Sequence, residues 1–333
     1  MRSMQRGLAA LTLTVCGLFM GSGVLQAATS NAASARKAAS TNKAPAKKSG
    51  RAAKRTYDKP DVKSASLLVV NEDDASILLS KNADVAAPIA SITKLMTALV
   101  VLDEKQSLDE ELTVTNEDRS LDRGTASRLA VGTTLSRGDL MHLALMSSEN
   151  RAAHALGRNY PGGLDTFIEA MNAKARALGM TQSHFSDPTG LSSENVASPA
   201  DLSKLVMAAS RNSTIRSYST DTEHEVTIGR HKVEFRNTNN LVRNKDWDIV
   251  ISKTGYTEAA GRCLVMKTVV NDHPVVIVLL NSFGKYTRVA DAARIRRWIE
   301  TGRFQQQPAV RAAMMESPQI KVAQSAGSAA SGS

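Results

Sequence analysis

The 333-residue chain keeps its charge apart from its apolar sequence, and that separation limits which residues can fold. The formal net charge is +10, of which Arg2 and Arg6 contribute +2. Residues 29–60 hold nine Lys or Arg against one acid, Asp58, a charge of +8. Subtraction leaves residues 61–333 with no net charge. The basic stretch is otherwise mostly Ala and Ser, so it cannot bury enough apolar surface to offset its ordering entropy. It reads as a disordered tether whose weak attraction would be to anionic lipid or polymer. The foldable part is neutral, so the charge implies no nucleic-acid partner.

The ends of the chain carry further signals. Arg2 and Arg6 precede an uncharged stretch, Leu8 to Leu25, broken by Gly17, Gly21 and Gly23. Ala27 and Ala28 then suit a signal peptidase, so residues 1–28 are expected to be a cleaved secretory signal. A retained membrane anchor is the alternative, disfavoured by the glycines. Cys16 would leave with the signal, and Cys263 would remain without an internal disulfide partner. Residues 305–333 are a low-complexity tail, expected to be disordered. Aromatic residues make up only 4% of the chain, which argues against a module specialised for stacking on sugars or bases.

Residues 61–304 therefore form the one expected domain. Ser66–Val70 and Ser76–Leu79, joined by Asn71-Glu72-Asp73-Asp74, predict a hairpin. After Pro88, an apolar helix is predicted from Ser91 to Leu102. Further helices are predicted over Arg137–Met146, capped by Ser136, over Leu164–Leu178, stopped by Gly179, and from Pro199 to Ser210, capped by Ser198. Strands follow at Val226–Ile228, Lys232–Phe235 and Ile249–Ser252. Arg262–Val270 and Pro274–Asn281 predict a hairpin about Asn271-Asp272-His273, and a helix spans Tyr286–Glu300. Strands at both ends with helices between them predict one mixed α/β domain, its sheet built from both chain ends around a helical insertion.

Several chemistries lack their motif. There is no His-Glu-x-x-His, no Gly-x-Ser-x-Gly, no P-loop and no dinucleotide fingerprint. The six histidines read as surface or packing residues. A different nucleophile is available in Ser91-Ile92-Thr93-Lys94. Residues three apart share a helix face, so the Lys94 amine can reach the Ser91 hydroxyl. Burial and a helix N-terminus both disfavour the ammonium, and a neutral lysine can serve as general base. The same spacing at Ser34–Lys37, Ser40–Lys43 and Ser282–Lys285 opens no apolar helix.

Two further segments strengthen this reading. Ser148-Glu149-Asn150 follows an apolar helix, and its second hydroxyl and amide can relay a proton and bond a carbonyl. Ser193-Glu194-Asn195 and Ser210-Arg211-Asn212 are decoys of the same form. Lys253-Thr254-Gly255 is expected directly after a strand, where a lysine and a hydroxyl can hold a substrate carboxylate and a glycine lets the substrate backbone approach. The next amide, at Tyr256, is expected to join that of Ser91 in an oxyanion hole.

In this order and setting, the three elements match the serine, lysine and Lys-Thr-Gly set of β-lactamases and penicillin-binding proteins. The chain resembles the serine D-alanyl-D-alanine peptidases of low molecular mass from about Val62 to Gly302, and within them the endopeptidase branch. The resemblance is carried by Met146-Ser147-Ser148-Glu149-Asn150-Arg151-Ala152-Ala153, Pro188-Thr189-Gly190-Leu191, Phe235-Arg236-Asn237-Thr238-Asn239 and Lys253-Thr254-Gly255-Tyr256-Thr257. It implies a β-lactamase/transpeptidase-like fold, an antiparallel sheet flanked by helices. It implies Ser91, Lys94, Ser148 and Asn150 as catalytic residues, and Lys253, Thr254, Gly255 and Tyr256 as substrate-binding ones. The implied substrates are peptidoglycan stem peptides and crosslinks in the periplasm, with β-lactams as covalent inhibitors and no metal or cofactor. A D,D-carboxypeptidase acting on uncrosslinked stems is the first alternative. Familiar carboxypeptidases carry an extra β-domain and an amphipathic anchor, and the Gln-, Ser-, Ala- and Pro-rich tail matches neither. A β-lactamase lacks its deacylating glutamate loop here, and a wall-binding module needs neither Ser91 nor Lys94.

Overall fold

The computed structural model describes residues 59–119 and 127–302. The expected signal at 1–28, nearly all of the linker at 29–60 and the tail at 305–333 lie outside the described residues. Among the described residues, no helix is long and apolar enough to cross a membrane.

The sheet has five antiparallel strands, in the order Ile77–Lys81, Ser64–Asn71, His273–Ser282, Gly261–Val270 and Asp248–Thr257. Both chain ends build it, as the element order predicts. Its central strands are nearly continuous apolar runs because both faces are covered. Leu68, Val70, Val265, Val276 and Val278 turn towards the helical block. Their neighbours Leu67, Val69, Leu264, Met266, Val275 and Ile277 pack instead with Ala292, Ile295 and Ile299 of the last helix, Thr287–Glu300. The period of two along each strand thus separates two cores. The hairpin between the central strands turns on Asn271 and Asp272 alone, both with left-handed φ, of 50° and 64°. Asn and Asp tolerate that conformation, and such two-residue turns match the twist of the strands. His273 is already in the returning strand.

The inserted block is helical. Arg137–Met146 and Pro199–Ser210 start where predicted, with the Ser136 and Ser198 hydroxyls accepting from the backbone N–H of Asp139 and Asp201. Besides a single turn at Asn116–Arg119, two further helices, Asn150–Arg158 and Ser213–Thr220, escape the sequence reading. Their N-caps, Glu149 and Asn212, follow the preceding helix so closely that one apolar pattern runs into the next. The helix Lys94–Asp103 is buried over Lys94–Val101 and forms the axis of the block.

Two expected boundaries are corrected. Ser91 is not in the α-helix but in a 3₁₀ turn, Ala90–Thr93, with Lys94 as the first α-helical residue. Lys253-Thr254-Gly255 does not follow the strand but lies inside it, since pairing continues to Thr257 opposite Gly261. The expected strand stopped at Ser252 because lysine and glycine are poor strand signals, and ladder pairing overrides them.

The two chain ends are joined by a buried carboxylate. Asp291, in the last helix, accepts from the backbone N–H groups of Lys63 and Ser64 at 3.0 and 2.8 Å and from the Ser64 hydroxyl at 2.7 Å. Arg294 adds an ion pair at 2.7 Å. Removing a charged acceptor strands several buried donors. Asp291→Ala is therefore expected to lower unfolding stability by about 2–4 kcal/mol, read as a fall in the urea midpoint with an unchanged slope. A midpoint within error of the parent would show that the lock contributes nothing.

Candidate active site

The turn that carries Ser91 is held between two glycines. Ala90 adopts a left-handed φ of 49°, a conformation that a non-glycine residue keeps only under tertiary constraint. A Cβ on Gly190 would lie 2.0 Å from the Ala90 carbonyl oxygen, and one on Gly255 would lie 2.8 Å from that of Ile89. The loop at Gly190 and the strand at Gly255 therefore close on the turn from two sides, where no other side chain fits. The turn presents the partly exposed Ser91 to a cleft of about 320 Å³ lined by Ser127, Ser148, Asn150, Thr238, Thr254, Gly255, Tyr256 and Arg288, among others.

Lys94 lies beneath the cleft with 1% of its surface exposed. Its Nζ is 2.9 Å from Ser91 Oγ, 2.8 Å from Asn150 Oδ1 and 2.7 Å from the Thr189 carbonyl oxygen. Two of these partners can only accept. A neutral amine satisfies them with its two N–H groups and turns its lone pair to the Ser91 O–H. Burial drives the lysine to that state, lowering its pKa from 10.5 to about 7, while the Asp187 and Glu149 carboxylates oppose the shift. A base poised near neutral pH beside a hydroxyl is what serine activation needs without histidine.

Each partner of Lys94 is itself fixed. Asn150 opens the Asn150–Arg158 helix. Thr189 belongs to a loop organised by the buried Asp187, which accepts from the N–H groups of Thr189, Gly190 and Ser192 at 2.6, 2.8 and 2.9 Å. Asn195 Nδ2 donates to the same carboxylate at 2.5 Å, and the Asn195 carbonyl accepts from Ile89 N–H at 3.1 Å, just before the Ser91 turn. The Ser193-Glu194-Asn195 decoy thus supplies a support for the site, and Asn212 of the other decoy caps a helix. Asp187 and Asn195 were missed from sequence because isolated Asp and Asn residues in a loop look alike whatever they hold.

Lys253 is placed differently from the sequence expectation. It is also 1% exposed and does not line the cleft. Its Nζ donates to Ser148 Oγ at 2.9 Å and to the Thr254 carbonyl at 3.0 Å. Burial, then repulsion from Lys94 and Arg288, pushes its pKa well below the lysine range. It is thus connected to Ser148, which itself lines the cleft at a left-handed φ of 63°. The cleft lining there carries instead the Thr254 and Thr238 hydroxyls, 2.7 Å apart, and Arg288, which donates to the Gly255 carbonyl at 3.0 Å. Thr238 lies in a segment that carries the resemblance but was given no role, and Arg288 adjoins no motif; only the sheet and the last helix bring them there. Glu149 accepts from Ser127 Oγ at 2.5 Å at the cleft wall. The histidines stay out of the cleft: His142 stacks between Tyr218 and His224, and His154 bonds Asp118.

A buried lysine facing a serine hydroxyl, a second lysine–serine pair and an edge strand of the sheet lining the same cleft define an acylating serine hydrolase. The profile of peptidase family S11, described as D-alanyl-D-alanine carboxypeptidase, matches residues 53–284, and the chain belongs to that family. It is 50% identical over 252 residues to a D-alanyl-D-alanine endopeptidase of Pseudomonas aeruginosa, covering 75% of this chain and 81% of that one. It is 47% identical over 260 residues to a D-alanyl-D-alanine endopeptidase of Escherichia coli, covering 78% and 84%. The crystal structure of the Streptomyces K15 DD-transpeptidase superposes with a TM-score of 0.68 at 27% identity, over 72% of this chain and 98% of that one. The fold is that of the DD-transpeptidases and penicillin-binding proteins.

Gly190 offers a test that touches no reacting group. In Gly190→Ala the new methyl collides with the Ala90 carbonyl and forces the Ser91 turn to move. Misplacement by an ångström costs about a hundredfold in rate. Adduct formation on Ser91 by a serine-directed acylating reagent, followed by intact-mass spectrometry, is expected to slow by about that factor. Parent-like labelling would show that the turn is not held by this contact.

Proposed function

We propose that the protein is a serine-type D-alanyl-D-alanine endopeptidase that cuts peptide crosslinks of peptidoglycan through an acyl-enzyme on Ser91. The observation that carries the reading is the Lys94 amine, buried and placed between two obligate acceptors and the Ser91 hydroxyl. The Ser91 oxygen attacks the carbonyl carbon of a D-alanine residue, and Lys94 takes the hydroxyl proton. The backbone N–H groups of Ser91 and Tyr256 receive the developing oxyanion. As the C–N bond breaks, the leaving amine takes a proton through Ser148, with Lys253 as its buried neighbour. Water then hydrolyses the ester and frees Ser91.

The leaving amine sits on a carbon that carries a carboxylate, whether the substrate is a D-Ala-D-Ala terminus or a crosslink to a D centre. Thr238, Thr254 and Arg288 suit that carboxylate. One site can therefore serve both reactions, and the carboxypeptidase alternative rests on the description of the family itself. The endopeptidase reading is favoured by the names of the relatives at 47–50% identity. β-Lactams present a strained amide beside a carboxylate, and acylation of Ser91 by them follows from the same geometry. Residues 1–28 as a signal, 29–60 as a basic tether, 61–304 as the catalytic domain and 305–333 as a tail place the enzyme in the periplasm, where its substrate lies.

Purified protein incubated with crosslinked and uncrosslinked muropeptides tests the reading. Crosslinked dimers are expected to fall to monomers, and Ser91→Ala is expected to abolish both that turnover and the penicilloyl adduct without loss of fold. Turnover of uncrosslinked pentapeptides alone would replace endopeptidase with carboxypeptidase. An adduct on the Ser91→Ala protein would overturn the nucleophile.

The acid side of the pH profile reports Lys94. The proton-accepting form is present above its pKa of about 7 and lost below it, so acylation should rise through neutrality as pH increases. The Glu149 carboxylate favours the ammonium, so Glu149→Gln should move this limb to lower pH. Stopped-flow acylation rates that stay flat between about pH 5 and 9 would remove Lys94 as the base.

A further inference from the structure

Few large apolar side chains are strongly exposed among the described residues, and three of them are aromatic: Tyr256 at 54%, Tyr286 at 69% and Phe283 at 91%. Only Tyr256 lines the cleft itself, and sheet register and the start of the last helix bring Phe283 and Tyr286 to the same end of the sheet. Tyr256 follows Gly255, whose carbonyl holds Arg288 at 3.0 Å, and Tyr286 stands two residues before Arg288. Phe283 follows Ser282, which pairs in the sheet with Arg262. The Arg262 guanidinium lies 4.4 Å from the centre of the Tyr256 ring, and Lys285 Nζ lies 5.4 Å from that of Tyr286. Neither Arg262, Lys285 nor Arg288 forms an ion pair with a carboxylate among the described residues. Burial, with repulsion from Arg262, holds Arg288 below its ordinary pKa. The result is a surface of three exposed aromatic residues and three cations that form no ion pair among the described residues.

Water does not hold such an arrangement together, and exposed aromatic surface beside unpaired charge marks a docking surface. Its position selects the occupant. Arg288 and Thr254 define the leaving-group side of the scissile bond under the function proposed above, on which this inference rests. A departing single D-alanine ends at that point. Only a crosslinked substrate extends further, into a second stem peptide with its own carboxylates and its own sugars. Carboxylates complement Arg262 and Lys285, and the C–H faces of pyranose rings pack on exposed aromatic rings. We propose that Tyr256, Phe283 and Tyr286, with Arg262 and Lys285, form a subsite for the disaccharide-bearing second strand of a crosslinked substrate, and that this subsite separates endopeptidase from carboxypeptidase turnover. The chain as a whole is poor in aromatic residues; the strongly exposed ones among the described residues are these three.

The variants that test the subsite remove exposed side chains. Phe283→Ala with Tyr286→Ala deletes two rings, and Lys285→Glu reverses a charge; neither change removes a side-chain cap, because Tyr286 makes no such bond. The substrates are a crosslinked disaccharide-tetrapeptide dimer, the same dimer stripped of its sugars, an uncrosslinked disaccharide-pentapeptide, and benzylpenicillin. Loss of two stacking contacts corresponds to about a tenfold fall in kcat/KM on the sugar-bearing dimer, expressed chiefly in KM. Benzylpenicillin acylation and pentapeptide turnover should stay within about twofold. Lys285→Glu should weaken dimer turnover most at low salt, where exposed charges are least screened. Dimer turnover equal to the parent's would overturn the subsite, as would an equal fall on all four substrates. An undiminished loss on the stripped dimer would overturn the sugar assignment. A parent enzyme that forms the penicilloyl adduct but leaves every dimer intact would overturn the endopeptidase reading instead.

Discussion

The buried Lys94 amine is the constraint on which the rest of the structure depends. A lysine removed from water must either lose its proton or find acceptors enough to keep it, and an unmatched ammonium at such a site would be costly. Here three oxygens surround Nζ, and two of them are carbonyls. The third is a hydroxyl able to donate, so the neutral amine fits all three and is left with its lone pair on Ser91. Each carbonyl needs its own fixture: Asn150 a helix start, Thr189 the loop wound about Asp187. Gly190 and Gly255 are required because the Ser91 turn has to meet that loop and the sheet at backbone distance.

The second lysine follows the same physics. Lys253 is equally buried, and its repulsion from Lys94 means that a proton gained by one disfavours a proton on the other. The two amines bond different hydroxyls, one that of Ser91 and the other that of Ser148. That arrangement holds few protons, each close to an atom that must gain or lose one when a C–N bond is exchanged for a C–O bond. Under the proposed function, carboxylate recognition falls to groups that line the cleft, Thr238, Thr254 and Arg288.

The scaffold explains why such a site can be rigid. The strand Asp248–Thr257 is the sheet edge beside the Ser91 turn, and it is backed by Gly261–Val270 along nearly its whole length. The last helix is fastened to the first strand through Asp291, and its first turn brings Arg288 to Gly255. Chain ends far apart in sequence therefore set one wall of the cleft, while the helical insertion supplies the floor and the opposite wall.

Much of this was legible in the sequence because its signals are local. Ser136 and Ser198 announce their helices by caps, the unbroken apolar runs Leu67–Val70 and Val275–Leu280 announce strands buried on both faces, and Ser91 with Lys94 share a helical turn by spacing alone. Three short motifs at long separations, read by resemblance, located the family and most of the residues that meet. What the sequence could not determine depends on approach between distant segments. Nothing in residues 187–195 marks Asp187 as the hub of the loop or Asn195 as its support, and nothing beside Arg288 marks it as a cleft residue. Lys253 reads from its neighbours as a surface clamp at a strand end. Ladder pairing carries the strand past it, burial strips its water, and only tertiary structure turns it towards Ser148, because desolvation and distance belong to the folded chain and not to any segment of it.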